Sequence, residues 1–285
     1  MQSELLTATC MEERLHTFDE LAQACRTNMH VRKIFFEQGE TMYKLMIDQL
    51  RYYACVRPQP YSSAPADYCR EDELEYVTVI IECLCSIVSC SECLSERLVL
   101  FEFARPYSVS DVVALLCNTC YQSVPSVRAP EYTDTEISRK KRSVNHAVVS
   151  LLVQIEGLAE HASLEGVGGP YSVILFVEEL LLSDNFIESK AQAMFSDLLD
   201  FAMGRNNSPL PIHQVLKIYD HCRLIYLLMS KSVDVRRYIA DHNYEELKYF
   251  LMGPNFLINL HGTHVFFAER INELIREIQR FTAAT

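Results

Sequence analysis

A chain of 285 residues with 49% apolar and 22% charged residues has the balance of a folded globular protein, and length enough for one large domain or two ordinary ones. Its formal net charge of -12 repels phosphate at long range. General binding to nucleic acid or to anionic membranes is therefore disfavoured, except through a local basic patch, and Arg139-Lys140-Lys141-Arg142 is the one such run. Apolar runs such as 173–177 and 180–182 are cut by Glu178 and Glu179, far short of the roughly 20 residues a bilayer span needs, so no membrane partner is expected. Glu12 and Glu13 stand where a secretory signal would need a basic patch followed by an apolar stretch. Eleven cysteines, several inside apolar helical stretches, fit free thiols in a reducing compartment. The expected location is intracellular, cytoplasmic and/or nuclear.

In chain order, apolar residues recur with helical period over 4–27, 30–37, 40–54, 72–91, 93–103, 109–121, 144–162, 171–183, 186–203, 211–230, 233–241, 244–252 and 256–281. Strand-like alternation bounded by Asn-Gly or Asp-Gly turns is absent, and only eight glycines punctuate the chain. The fold class is all-α, expected as a single domain over 1–285. Two stretches read as long inserted loops: 56–70, with Pro58, Pro60 and Pro65, and 123–143, with Pro125, Pro130 and the basic run. Over 256–281, Phe256, Leu260, Phe267, Ile271, Leu274, Ile275 and Ile278 form an apolar stripe, the pattern of a helix that caps an array.

An internal repeat runs through this series. Val31-Arg32-Lys33-Ile34-Phe35 precedes Gly39 by the offset at which Val235-Arg236-Arg237-Tyr238-Ile239 precedes Asn243. Glu96-Arg97-Leu98-Val99-Leu100 gives a third copy. Each copy follows an apolar helix (Leu21 to Cys25, Leu84 to Val88, Leu224 to Leu228) and precedes another. The physical sense is a short helix, a tight left-handed turn at Gly or Asn, and a longer stacking helix. In this pattern the sequence resembles the armadillo-like (ARM/HEAT-type) helical repeat family, clearly over 15–121 and 213–252 and weakly over 144–204. The resemblance implies a right-handed superhelix of stacked helices that binds proteins. Peptide-binding armadillo proteins of the importin-α and catenin types carry an asparagine ladder on their inner helices. The matching positions here are Gln23, Ser86, Gly157, Asp200 and Tyr226, none of them asparagine, which argues against an extended-peptide grip.

Chemistry-bearing constellations are sparse. Cys90 with Cys93 and Cys117 with Cys120 form two Cys-x-x-Cys pairs that together could offer four thiolates to zinc. Cys90 and Cys93 fall at a helix end and Cys117 and Cys120 in a core-like helix over 112–121, so packing thiols are the preferred reading, with no metal and no cofactor. His213 and His221 lie eight apart on one helix, and His261 and His264 flank Gly262, without carboxylates converging in sequence. The glycine-rich stretch 166–170 lacks the Lys-Ser/Thr of a phosphate loop. The Arg32, Arg97 and Arg236 set reads as structural, each able to bond helix-end carbonyls.

These readings converge on a non-enzymatic protein–protein interaction scaffold. The partner surface is expected at the five ladder positions together with Tyr61, Tyr68 and Tyr132 of the loops and Arg139, Lys140, Lys141 and Arg142. The loops should emerge on one side of the array, because each interrupts the same connection of the repeat cycle. A zinc-stabilised or cysteine-reactive regulatory protein, or an enzyme on a helical scaffold, are the alternatives.

Overall fold

The computed structural model describes residues 10–55, 71–89, 103–119, 136–165, 172–182, 186–202, 212–252 and 265–283. Every regular element among them is a helix, in agreement with the all-α class. In chain order these are α1 (Met11–Thr27), α2 (Met29–Gln38), α3 (Glu40–Cys55), α4 (Glu71–Val88), α5 (Val109–Thr119), α6 (Glu136–Glu165), α7 (Val173–Leu181), α8 (Phe186–Ala202), α9 (Ile212–Lys231), α10 (Val233–Met252) and α11 (Val265–Ala283). The chain divides into two compact units. Unit 1 comprises Met1–Tyr121 and Thr133–Ser183, and unit 2 comprises Gln122–Tyr132 and Asp184–Thr285.

In unit 1, α1 buries Phe18, Leu21, Ala22 and Cys25, a stripe spaced by three and four residues. That stripe meets α4, and α4 in turn meets α6. The contacts run in the same direction along all three helices. Phe18 packs near Tyr76, with ring centroids 6.0 Å apart, and Arg26 reaches Ser86, 60 residues on. Glu75 pairs with Lys140 at a separation of 65 residues, and the Cys85 thiol lies 3.9 Å from the carbonyl of Ala147, 62 residues on. A second row, α3, α5 and α7, packs in the same order, and α3 touches α4 while α5 and α7 both touch α6. The helix starts of α4 and α6 therefore lie side by side, at the carboxyl ends of the 56–70 and 123–135 connections.

Helix α6 is the longest, and α4 and α5 cover it on two sides. By length and composition it could cross a membrane, a possibility that unbroken apolar runs alone do not reveal. The core helix of a globular domain meets the same test, and 61% of its apolar window is buried. Its start corrects the sequence reading: 136–143, expected as the end of a loop, are its first two turns. Basic residues oppose the positive end of a helix dipole. Here carboxylates offset them, Glu136 pairing with Arg139 at 2.7 Å and Glu75 with Lys140 at 2.8 Å.

Unit 2 is organised around α9, which buries Val215, Ile218, His221, Cys222, Leu224, Ile225, Leu227, Leu228 and Met229 and touches α8, α10 and α11. Helix α11 contributes one stripe, Ala268, Ile271, Ile275 and Ile278, from the segment read as a cap; 256–264 lie outside the described residues. Ser232 separates α9 from α10 and accepts a 3.4 Å bond from the amide of Val235. The Arg236 guanidinium folds back over this break: Nε donates to the carbonyl of Met229 at 2.5 Å, Nη2 donates to that of Ser230 at 3.1 Å, and the group lies 5.1 Å from the ring of Phe281. Carbonyls that end a helix have no partner within it, so this Arg is a C-cap built from the following helix.

The two turn residues of the repeat behave differently, and neither as expected. Helix α10 runs continuously through Asn243, where a break between 241 and 244 was read. Asparagine tolerates a turn but does not impose one, and no glycine or proline stands between Val233 and Met252. Gly39 does separate α2 from α3, yet its φ of -88° lies outside the left-handed region. Its need for glycine is steric: a Cβ there would sit 2.2 Å from the carbonyl oxygen of Phe35, which already accepts the Gly39 amide at 2.7 Å. Gly39→Ala should therefore force α2 away from α3 and lower the unfolding free energy by about 1–3 kcal/mol in a urea titration. An alanine variant as stable as the parent would show that the approach is not constrained.

Candidate interaction surface

The helices of the first row bring three of the five ladder positions onto neighbouring elements. Gln23 is exposed on α1, Ser86 is buried on α4, and Gly157 is half-buried on α6. Ser86 is not open to a partner. Its hydroxyl accepts from Arg26 Nε at 3.0 Å and donates to the carbonyl of Glu82 at 2.8 Å, while Arg26 Nη2 lies 3.4 Å from the Glu82 carboxylate. A two-helix clamp thus occupies the slot that a ladder residue would need free. Tyr226, in unit 2, is half-buried and stacks on Phe281 at 5.8 Å, so its ring is committed to packing. The Asp200 side chain and Tyr61, Tyr68 and Tyr132 lie outside the described residues.

The basic run sits on a helix instead of a loop, and its members differ. Arg139 and Arg142 are exposed, whereas Lys140 and Lys141 are half-buried. The hydrogen bond from Lys140 to Glu75 raises its pKa and holds it charged. Of the zinc candidates, Cys117 is a buried free thiol on α5, and Cys90, Cys93 and Cys120 lie outside the described residues. His213 is exposed while His221, on the same helix, is buried with Nδ1 3.1 Å from the carbonyl of Lys217; His261 and His264 lie outside the described residues.

Three features escaped the sequence reading. The first is a strap over 103–108 fastened to α3. Tyr43 stacks on Phe103 at 4.7 Å and donates to the carbonyl of Tyr107 at 3.3 Å. Tyr107 donates to Asp48 at 3.0 Å, and Arg51 donates to the carbonyl of Pro106. Lys44 and Arg51 lie 5.5 and 5.4 Å from the Tyr107 ring. Tyr43, which the strap holds, and aliphatic side chains of α4, α5 and α6 line a partly open cavity of about 30 Å³.

The second feature is Lys190 of α8, 1% exposed, whose Nζ has no hydrogen-bond partner and only the ring of Phe186, 5.4 Å away. Phe186, Lys190 and Met194 follow at four-residue spacing and are all buried, so the lysine occupies a core register. The third is α7, apolar on both of its faces. Phe176, Val177 and Leu180 are buried, while Ile174, Leu175, Leu181 and Leu182 are exposed. Its composition was legible, but a one-sided burial was not.

The chain belongs to the family described as a protein of unknown function (DUF4551), whose model matches residues 1–264. The match spans all of unit 1 and ends one residue before α11. Neither a curated protein nor a solved structure matches the chain.

Two measurements follow from the buried groups. An amine in a core register without a hydrogen bond costs its own desolvation, so Lys190→Met should raise the unfolding free energy by about 1–3 kcal/mol. A loss of stability would mean that the ammonium is doing something the packing does not reveal. In unit 1, burial pushes the Tyr76 phenol from 10.0 to about 12 and the Cys25 thiol from 9.0 to about 11. Both shifts are upward, so between pH 9 and 12 the unfolded chain releases protons that the folded chain keeps. Stability is then fully present below pH 9 and falls as pH rises through that window. Tyr76→Phe should flatten the fall above pH 10 in urea titrations across the range, and an unchanged slope would remove Tyr76 from its cause.

Proposed function

We propose that this protein is a non-enzymatic adaptor, intracellular in the cytoplasm, the nucleus or both, which holds one or more partner proteins against an armadillo-like array of stacked helices. The observation that carries the reading is the parallel succession of α1, α4 and α6, whose matching contacts recur 60 to 65 residues apart. Units that pack on their sequence neighbours in one orientation are what a tandem helical repeat produces, and the resulting surfaces are extended and suited to proteins more than to small substrates. A second row, α3, α5 and α7, follows the same order. The exposed Arg139 and Arg142, where α6 begins beside α4, form the part of this surface suited to an acidic partner or to a nuclear-import receptor.

The test is quantitative affinity purification of the full chain from its native cells after mild crosslinking, with the double variant Arg139→Ser/Arg142→Ser alongside. Reproducible protein partners are expected. The variant should lose a subset of them, or its nuclear pool, with thermal stability changed by less than about 0.5 kcal/mol, because exposed charges contribute little to folding. Absence of any protein enriched above control would sink the adaptor reading. Retention of every partner and of the location would sink only the role of the basic run.

A further inference from the structure

We infer that the outer face of α7 is a docking site for a basic amphipathic helix of another protein, an inference that rests on the adaptor reading and gives it a particular surface. At 100° per residue, Ile174, Leu175, Glu178, Leu181 and Leu182 fall within about 120° of the helix circumference. They lie opposite Phe176, Val177 and Leu180, which are buried where α7 meets α5 and α6. The exposures on the outer face are 63% for Ile174, 39% for Leu175, 39% for Leu181 and 77% for Leu182. No other helix among the described residues exposes more than two large apolar side chains. A helix that covers a core from outside carries polar residues on its far side, and one that is apolar all round is normally enclosed. Helix α7 has the composition of an enclosed helix and the exposure of a surface one.

Charge selects the occupant. The only polar residues of α7 are Glu178 and Glu179, and Glu178 lies exposed in the middle of the apolar face. A second copy of this chain would bring Glu178 against the same face, acid against acid, with -12 on each molecule. Burying two like charges in an apolar contact is costly, so self-association is disfavoured. An anionic lipid surface meets the same repulsion. A helix with aliphatic residues at three- and four-residue spacing and a lysine or arginine set between them fills the face and neutralises Glu178, and a basic partner is also steered by the net charge.

The probe is an 18-residue fluorescent peptide, stapled as a helix, with a leucine stripe interrupted by one central lysine; its twin carries glutamate at that position. Fluorescence anisotropy with the full chain should show the lysine peptide binding at least tenfold more tightly than its twin. Glu178→Lys should reverse that order. Ile174→Ser/Leu182→Ser should weaken the lysine peptide at least tenfold without moving the melting temperature, since both side chains are exposed. No binding, equal binding of the two peptides, or an order unchanged by Glu178→Lys overturns the inference. So does a dimer in sedimentation that Ile174→Ser/Leu182→Ser dissociates, or binding to phosphatidylserine vesicles that the same variant abolishes. If the serine variant keeps every crosslinked partner of the parent, this site is wrong while the adaptor reading stands.

Discussion

Helix α4 has to be covered on nearly every side, and unit 1 is the consequence. Ten of its residues are buried, Tyr76, Ile80 and Ile81 completely, so it can exist only between neighbours. Helix α1 supplies one wall and α6 the other, while α3 touches it from the second row. Polar contacts set the register of this sandwich. Arg26 anchors on Ser86 and Glu82, Tyr76 donates to Gln49 at 3.2 Å, and Lys140 meets Glu75. Apolar burial is non-directional, and alone it would tolerate sliding of one helix along the next. The charged and hydroxyl pairs at the edges favour one register over a slid one.

That division of labour also decides which surfaces remain for function. Polar groups that could have faced a partner are used within the stack: Ser86 is covered by Arg26, and Tyr107 is spanned by Lys44, Arg51 and Asp48. Among the described residues that stay outward are the exposed part of the basic start of α6 and the aliphatic face of α7, at opposite ends of the range of surface chemistry.

Helix existence was legible because it rests on periodicity, a property of residues close in sequence. The limits of that signal are visible at particular places. The start of α6 was read as loop because four cations follow Pro125 and Pro130; the pair with Glu136 is local, but the pair with Glu75 spans 65 residues and has no local trace. Gly39 was identified as a position that requires glycine, though for a left-handed turn that does not form; the close approach of the Phe35 carbonyl is a three-dimensional fact. Asn243 shares the repeat register but not the steric cause, and α10 does not break there. Of the ladder positions, Ser86 lies on α4, and only the structure shows Arg26 closing over it.

The arginines of the repeat show how far a motif specifies chemistry. Arg236 and Arg32 occupy the same offset before their turn residues, and the expectation for both was a bond to helix-end carbonyls. Arg236 makes it twice, because Ser232 is the only residue between α9 and α10 and the guanidinium fork spans the carbonyls of Met229 and Ser230. In the first copy Asn28 already caps the start of α2, accepting the amide of His30 at 2.9 Å, and the Nε of Arg32 is buried without a hydrogen-bond partner. The Arg32 guanidinium instead lies close enough to the Cys25 thiol to oppose part of the upward shift that burial imposes on it. At this offset Arg236 covers the break before its helix, whereas Arg32 acts on the thiol of the preceding helix without a bond from its Nε, so the hydrogen bonds depend on which carbonyls the break leaves open. The regularity of the motif records packing.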